Sequence, residues 1–158
     1  MITEEIVMSY IETLRRCEYF RELTNDDLKL IEKACHREEY DEGVILYHEG
    51  DEAKKLRIVE KGKVSIRIEE GLTKSLTVCI VSDGGAFGWS ALVKPNRFTA
   101  GAKCLEKTSI IVISGAEILQ MCRADTRLGK IVMGNLAYLI STRLRHARQQ
   151  IPTQSQPW

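Results

Sequence analysis

The sequence predicts a mainly β fold with flanking helices, in which a roll of short strands fills the middle of the chain. Three observations predict it. Short β-branched segments crowd the centre, glycines recur at their joins, and apolar residues towards both ends repeat at helical spacing. The segments are VILYH (44–48), LRIVE (56–60), KVSIRIE (63–69), LTVCIV (76–81) and TSIIVI (108–113), with corners at Gly43, Gly50, Gly62 and Gly71. Many short strands turned at glycine corners pack as a barrel or a sandwich-like roll.

The helical elements follow from their own patterns. From Ile2 to about Arg16, apolar residues at 2, 6, 7, 10, 11 and 14 keep close to a 3.6-residue period. Thr24 opens a second helix: its hydroxyl can cap the first turn, Asp26 and Asp27 suit the positive end, and Leu28, Leu30, Ile31 and Ala34 supply a buried side. Ser114 and Glu117 form a capping-box pattern, and Asp125 can cap a longer helix running to about Gln150. On that helix Met133, Ala137, Ile140, Leu144 and Ala147 form one apolar stripe, and Leu128, Val132, Leu136 and Leu139 another about 100° away. Two apolar stripes ask for two partners. One is the roll; the other is expected to be the same helix of a second subunit, with Leu128, Val132, Met133, Leu136, Ala137, Leu139, Ile140 and Leu144 as candidate dimer residues. The tail IPTQSQPW has no periodicity and reads as loose.

Composition bounds the class. The chain has 158 residues, 44% of them hydrophobic, and a net charge of +1, which fits one domain with a real core and gives no global basic field for nucleic acid. The opening residues carry acids rather than a basic lead, and no apolar run is long enough to span a bilayer, so a cytoplasmic protein without a membrane segment is expected. Five widely spaced cysteines fit reduced thiols better than a disulfide framework. His36, His48 and His146 lie far apart with no metal-binding spacing, and no GxSxG or P-loop occurs, so neither a metal site nor an enzyme is expected. Cys79, alone in an alternating strand, reads as core rather than as an iron ligand.

The stretch from Leu23 to about Gln150 resembles the cyclic nucleotide-binding domain of the catabolite-activator and anaerobic-regulator superfamily. The resemblance rests on Gly43, Gly50 with Asp51, and Gly62 at that family's spacing, followed in order by AFGWSAL and RFTA. It implies a jelly-roll-like β-roll with N-terminal helices and a long C-terminal helix. The corresponding division is an N-terminal helix at 1–22, the domain at 23–150, and a flexible tail at 151–158.

In that family a cassette of strand, short helix and return strand binds the cyclic phosphate at the short helix, a downstream arginine pairs with the phosphate, and a glutamate after the FG pair accepts the ribose 2′-hydroxyl. Here Phe87 and Gly88 stand in the FG positions and Ser90, Ala91 and Leu92 continue them, but the glutamate position holds Trp89. An indole has one N–H donor and cannot accept that bond. Counting back from Leu105 and Glu106, the arginine position falls on Phe98, one residue after Arg97, and one residue in a strand turns a side chain to the opposite face. A bulge could return Arg97 to the pocket, with Thr99 and Ala100 beside the same anion.

The candidate ligand residues are therefore Phe87, Gly88, Trp89, Ser90, Ala91, Arg97, Thr99 and Ala100. They imply a ligand-sensing regulatory domain for a non-standard effector rather than cyclic AMP; no cofactor is certain, and a cyclic nucleotide or another small anion is the candidate. Arg143, Arg145, His146 and Arg148 read as cations complementing the helix dipole, and no DNA binding by this chain is expected, so output would pass through dimerisation, a protein partner or sequestration of a ligand. The alternative keeps the fold without the ligand: Trp89 and Phe98 fill the pocket, and the domain is a dimeric interaction module.

Overall fold

A computed structural model describes residues 10–71 and 73–149, so the helical pattern over 2–9 and the tail from 150 lie outside the described residues. Among the described residues, eight strands form two four-stranded sheets. The first has the order β1 (Cys35–Tyr40), β8 (Thr108–Ser114), β3 (Lys55–Lys61), β6 (Ala86–Phe87), and the second β2 (Ile45–Tyr47), β7 (Gly101–Cys104), β4 (Lys63–Glu70), β5 (Lys74–Ser82). Every pairing is antiparallel. The five β-branched segments all become strands, because β-branched side chains pack well on a pleated, half-buried surface. Consecutive residues Ile110 to Ile113 are all fully buried, so β8 is covered on both faces and anchors the core.

Three strands have weaker sequence signals. CHREEY forms β1 although four of its six residues are polar or charged. It is an edge strand, held by its ladder to β8 and by Arg37, whose guanidinium donates twice to Glu60 at 2.7 Å. The other two, β6 and β7, are two and four residues long, too short to show a period.

Residues 10–16 are helical, and α1 (Asn25–Glu32) opens on a reciprocal cap in which Thr24 Oγ1 accepts from the Asp27 amide and Asp27 Oδ2 accepts from the Thr24 amide. Leu28 and Ile31 are buried as expected. Leu30 is not: it is 43% exposed, since it lies two positions from Leu28 and so on a different side of the helix. Ser114 caps α2 (Gly115–Ala124) by accepting from the Glu117 amide, and Asp125 Oδ1 accepts from the amides of Arg127 and Leu128 at the start of α3 (Thr126–Gln149). Asn135 fixes α3 to the N-terminal segment by donating to the carbonyls of Tyr19 and Arg21.

The two stripes of α3 have different surroundings. Leu128, Val132, Leu136 and Leu139 are at most 4% exposed and belong to the chain's own core, which withdraws these four from the set of candidate dimer residues. A side chain already desolvated within one subunit has no surface left for another. Met133 and Ile140 are partly buried against that core, while Ala137 and Leu144 are exposed.

Candidate functional site

The cassette is built on a sharp backbone turn. Phe87 ends β6 fully buried, and Gly88 follows with φ = +82°, close enough to β3 that a Cβ would stand 3.0 Å from the Lys55 carbonyl oxygen. Both the left-handed conformation and the close approach favour glycine. A single 3₁₀ turn, Trp89–Ala91, comes next. Asn96 supports it from below, its amide donating to the carbonyls of Ser90, Ala91 and Val93. The loop then returns along residues 50–53: Gly50 donates to the Phe98 carbonyl, Phe98 to Asp51, and Ala53 to Asn96. This lacing turns Phe98 inward, where its ring stacks on Tyr47 with centroids 3.5 Å apart and planes 10° from parallel.

Between the cassette, strands β4 and β5, and α3 lies a cavity of about 500 Å³. Its walls are largely hydrocarbon and aromatic, from Ile66, Ile68, Val78, Phe87, Trp89 and Ile140. Three cations line it. Lys94 and Arg97 are exposed, whereas the Arg143 side chain is only 13% exposed. The Arg143 guanidinium lies 5.5 Å from the centroid of Trp89, donates to the Ala86 carbonyl at 2.8 Å, and approaches Glu18 to 3.6 Å. It also touches Cys79 Sγ at 3.9 Å. Burial pushes the Cys79 thiol up, with the charge of Arg143 pulling partly back, so the sulfur stays a protonated thiol at neutral pH.

Seven of the eight candidate ligand residues line this cavity: Phe87, Gly88, Trp89, Ser90, Arg97, Thr99 and Ala100. Ala91 does not. Its amide donates back to the Gly88 carbonyl at 3.2 Å, and its methyl packs where α2 begins, 2.9 Å from the Cβ position at Gly115. Arg97 reaches the lining but is an exposed side chain that donates to the Gly50 carbonyl at 3.0 Å. Sequence reasoning missed Tyr47 and, above all, Arg143. The signal was present: Ile140, Arg143 and Ala147 follow one another at three- and four-residue steps, which puts Arg143 beside the apolar stripe rather than only at a basic helix end.

A β-roll whose cassette and terminal helix enclose a mostly apolar chamber with a few polar groups has the form of a small-ligand-binding domain. The chain belongs to the cyclic nucleotide-binding domain family, whose sequence profile matches residues 37–125. It is 27% identical over 128 residues to the cyclic AMP receptor protein of Thermus thermophilus, an alignment covering 81% of this chain and 57% of that protein. The chain thus spans little more than half the length of this relative. The crystal structure of Thermus thermophilus catabolite activator protein superposes with a TM-score of 0.71 at 26% identity, covering 84% of this chain and 61% of that one. A cyclic nucleotide-binding domain from Methylobacillus flagellatus shares the fold with a TM-score of 0.80 at 18% identity, over 98% of this chain and 86% of its own. Among the described residues no helix is long and apolar enough to cross a membrane.

Proposed function

We propose that this domain is a non-enzymatic sensor whose cavity takes an effector other than ordinary cyclic AMP. One observation carries the reading: the cavity remains about 500 Å³ in volume with Trp89 and Phe98 in its wall, Phe98 stacked on Tyr47, at the positions where the family resemblance implies the ribose acceptor and the phosphate arginine. A volume of that size lies within the range of small-molecule sites. The loss of the ribose acceptor alone removes a charge-assisted hydrogen bond of about 1.5 to 3 kcal/mol, or one to two decades of affinity. Ile140, Arg143, Leu144 and Ala147 bring α3 to the cavity wall, so an effector would touch the helix whose movement carries the signal.

The second reading, a dimeric interaction module without a ligand, is favoured by exposed apolar side chains on α3 and β5. Tyr138 is 60% exposed, Ile80 57%, Leu76 50% and Leu144 46%. A thermal-shift screen separates the two, because a ligand that binds only the folded state raises the melting temperature, by the equivalent of about 2.7 kcal/mol at a hundred times its Kd. Cyclic nucleotides, inorganic anions and organic acids form the panel. The sensor reading expects at least one strong stabiliser, with cyclic AMP weak or silent; silence across the panel favours the interaction module.

A further inference from the structure

The cavity contains its own description of a ligand. Its walls are largely hydrocarbon and aromatic, no Asp or Glu lines it among the described residues, and the cation set within it is Arg143, since Lys94 and Arg97 are exposed. A guanidinium removed from water needs an acceptor for its donors. Arg143 Nη2 has the Ala86 carbonyl at 2.8 Å, but Glu18 at 3.6 Å is beyond hydrogen-bond distance, and Nη1 has the soft sulfur of Cys79 at 3.9 Å. The charge is therefore partly satisfied from behind and can accept an anion from the cavity side.

Resting on the sensor reading, we propose that the effector is an aromatic monocarboxylate, with its carboxylate on Arg143 and its ring filling the apolar chamber beside Trp89. The donor count argues for no more than one carboxylate: Arg143 is the single interior cation of the lining, Glu18 already stands 3.6 Å from its Nη2, and the donors that remain suit one carboxylate. The walls argue for the ring, which is desolvated at a gain against Ile66, Val78 and Ile140, whereas a ribose against that apolar wall would have its hydroxyls beyond the few polar groups of Ser90 and Thr99 on the cassette side. Because Arg143 belongs to α3, the anion pairs directly with the helix.

Naphthylacetate and its neutral isostere naphthylacetamide provide the test. The chain has two tryptophans, so Trp158→Phe leaves Trp89 as the reporting indole. Titration of that protein, followed by fluorescence and melting temperature, is expected to show saturable binding of the acid, with the amide weaker by about tenfold or more. Adding Arg143→Gln should remove the acid's advantage while leaving amide binding in place. The acid-to-amide ratio is measured without altering Arg143, so it decides the matter even if that variant folds poorly. Equal binding of acid and amide, no saturable response to the acid at low millimolar concentration, or tighter binding of cyclic AMP or cyclic GMP would each overturn the proposal. Binding of cyclic GMP with the acid and cyclic AMP both silent leaves the sensor reading standing, tight cyclic AMP binding removes its claim to a different effector, and silence towards every compound removes both.

Discussion

At Trp89 one side chain separates the proposed effector site from a nucleotide site. The indole is partly buried against the core with the Arg143 guanidinium over its ring. A glutamate there faces a cation rather than hydrocarbon, so Trp89→Glu should fold, losing a cation–π contact of about 0.5 to 2 kcal/mol and gaining a charge pair. The restored acceptor is expected to improve cyclic AMP binding by about ten- to a hundredfold, read by calorimetry beside the wild type. An early-melting variant with no gain in binding would show that the indole is structural filling. Much of this site was legible in the sequence, because the cassette is local: AFGWSAL fixes Gly88, Trp89 and Ser90 within a few residues of one another. Arg143 was not, since its place at the cavity depends on how a helix more than fifty residues downstream packs across the roll. Ala91 was misread for a related reason, its amide being consumed by a turn only three residues long.

At the scale of elements, caps and strand signals were read correctly where a local rule governs, as at Thr24, Ser114 and Asp125. The polar strand β1 escaped because its partner β8 and the Arg37–Glu60 pair hold it, and neither is near it in sequence. Long-range ties of this kind make testable contributions. Arg127 on α3 donates to Asp27 on α1 at 2.6 Å and holds that carboxyl below its usual range, against the opposing effect of burial. A depressed folded-state value means that the stabilisation is complete above the ordinary carboxylate pKa of about 3.9 and is lost as pH falls through the folded value. Asp27→Asn should thus lower the melting temperature near neutrality and flatten its decline on acidification; an unchanged acid limb would show that the tie contributes nothing. Two glycines of α3 provide a contrast in sign. At Gly134 an added Cβ meets nothing within 4 Å, so Gly134→Ala should stabilise by about 0.5 to 1 kcal/mol. At Gly129 it would stand 2.7 Å from the Cys122 carbonyl oxygen, so Gly129→Ala should cost about 1 to 3 kcal/mol by forcing α2 and α3 apart. Urea midpoints of the two variants should fall on opposite sides of the wild type.

For the whole molecule, glycine corners and β-branched runs made the roll legible, because they act wherever a short strand must turn. The surface left for a partner was harder to read, since a helical stripe shows that it is apolar but not what covers it. Leu128, Val132, Leu136 and Leu139 are covered from within, and the seam available to a second copy narrows to Met133, Ala137, Ile140 and Leu144, which recur at the four- and three-residue steps of a two-stranded coil. We expect a homodimer through this face of α3, with light scattering at tens of micromolar giving twice the chain mass; a strictly monomeric wild type would sink the idea. Leu144 is the position at which to test the seam, because at 46% exposure it can carry a charge without emptying the core. Leu144→Asp should therefore yield a folded monomer with a melting curve close to that of the dissociated wild type, the carboxylate being solvated in the monomer and unpaired in the dimer. Leu136→Asp, by contrast, should melt far earlier whatever the oligomeric state, since that side chain is 4% exposed within the subunit's own core. A Leu144→Asp protein that remains dimeric would move the interface off this stripe, towards the exposed Tyr138, Leu76 and Ile80.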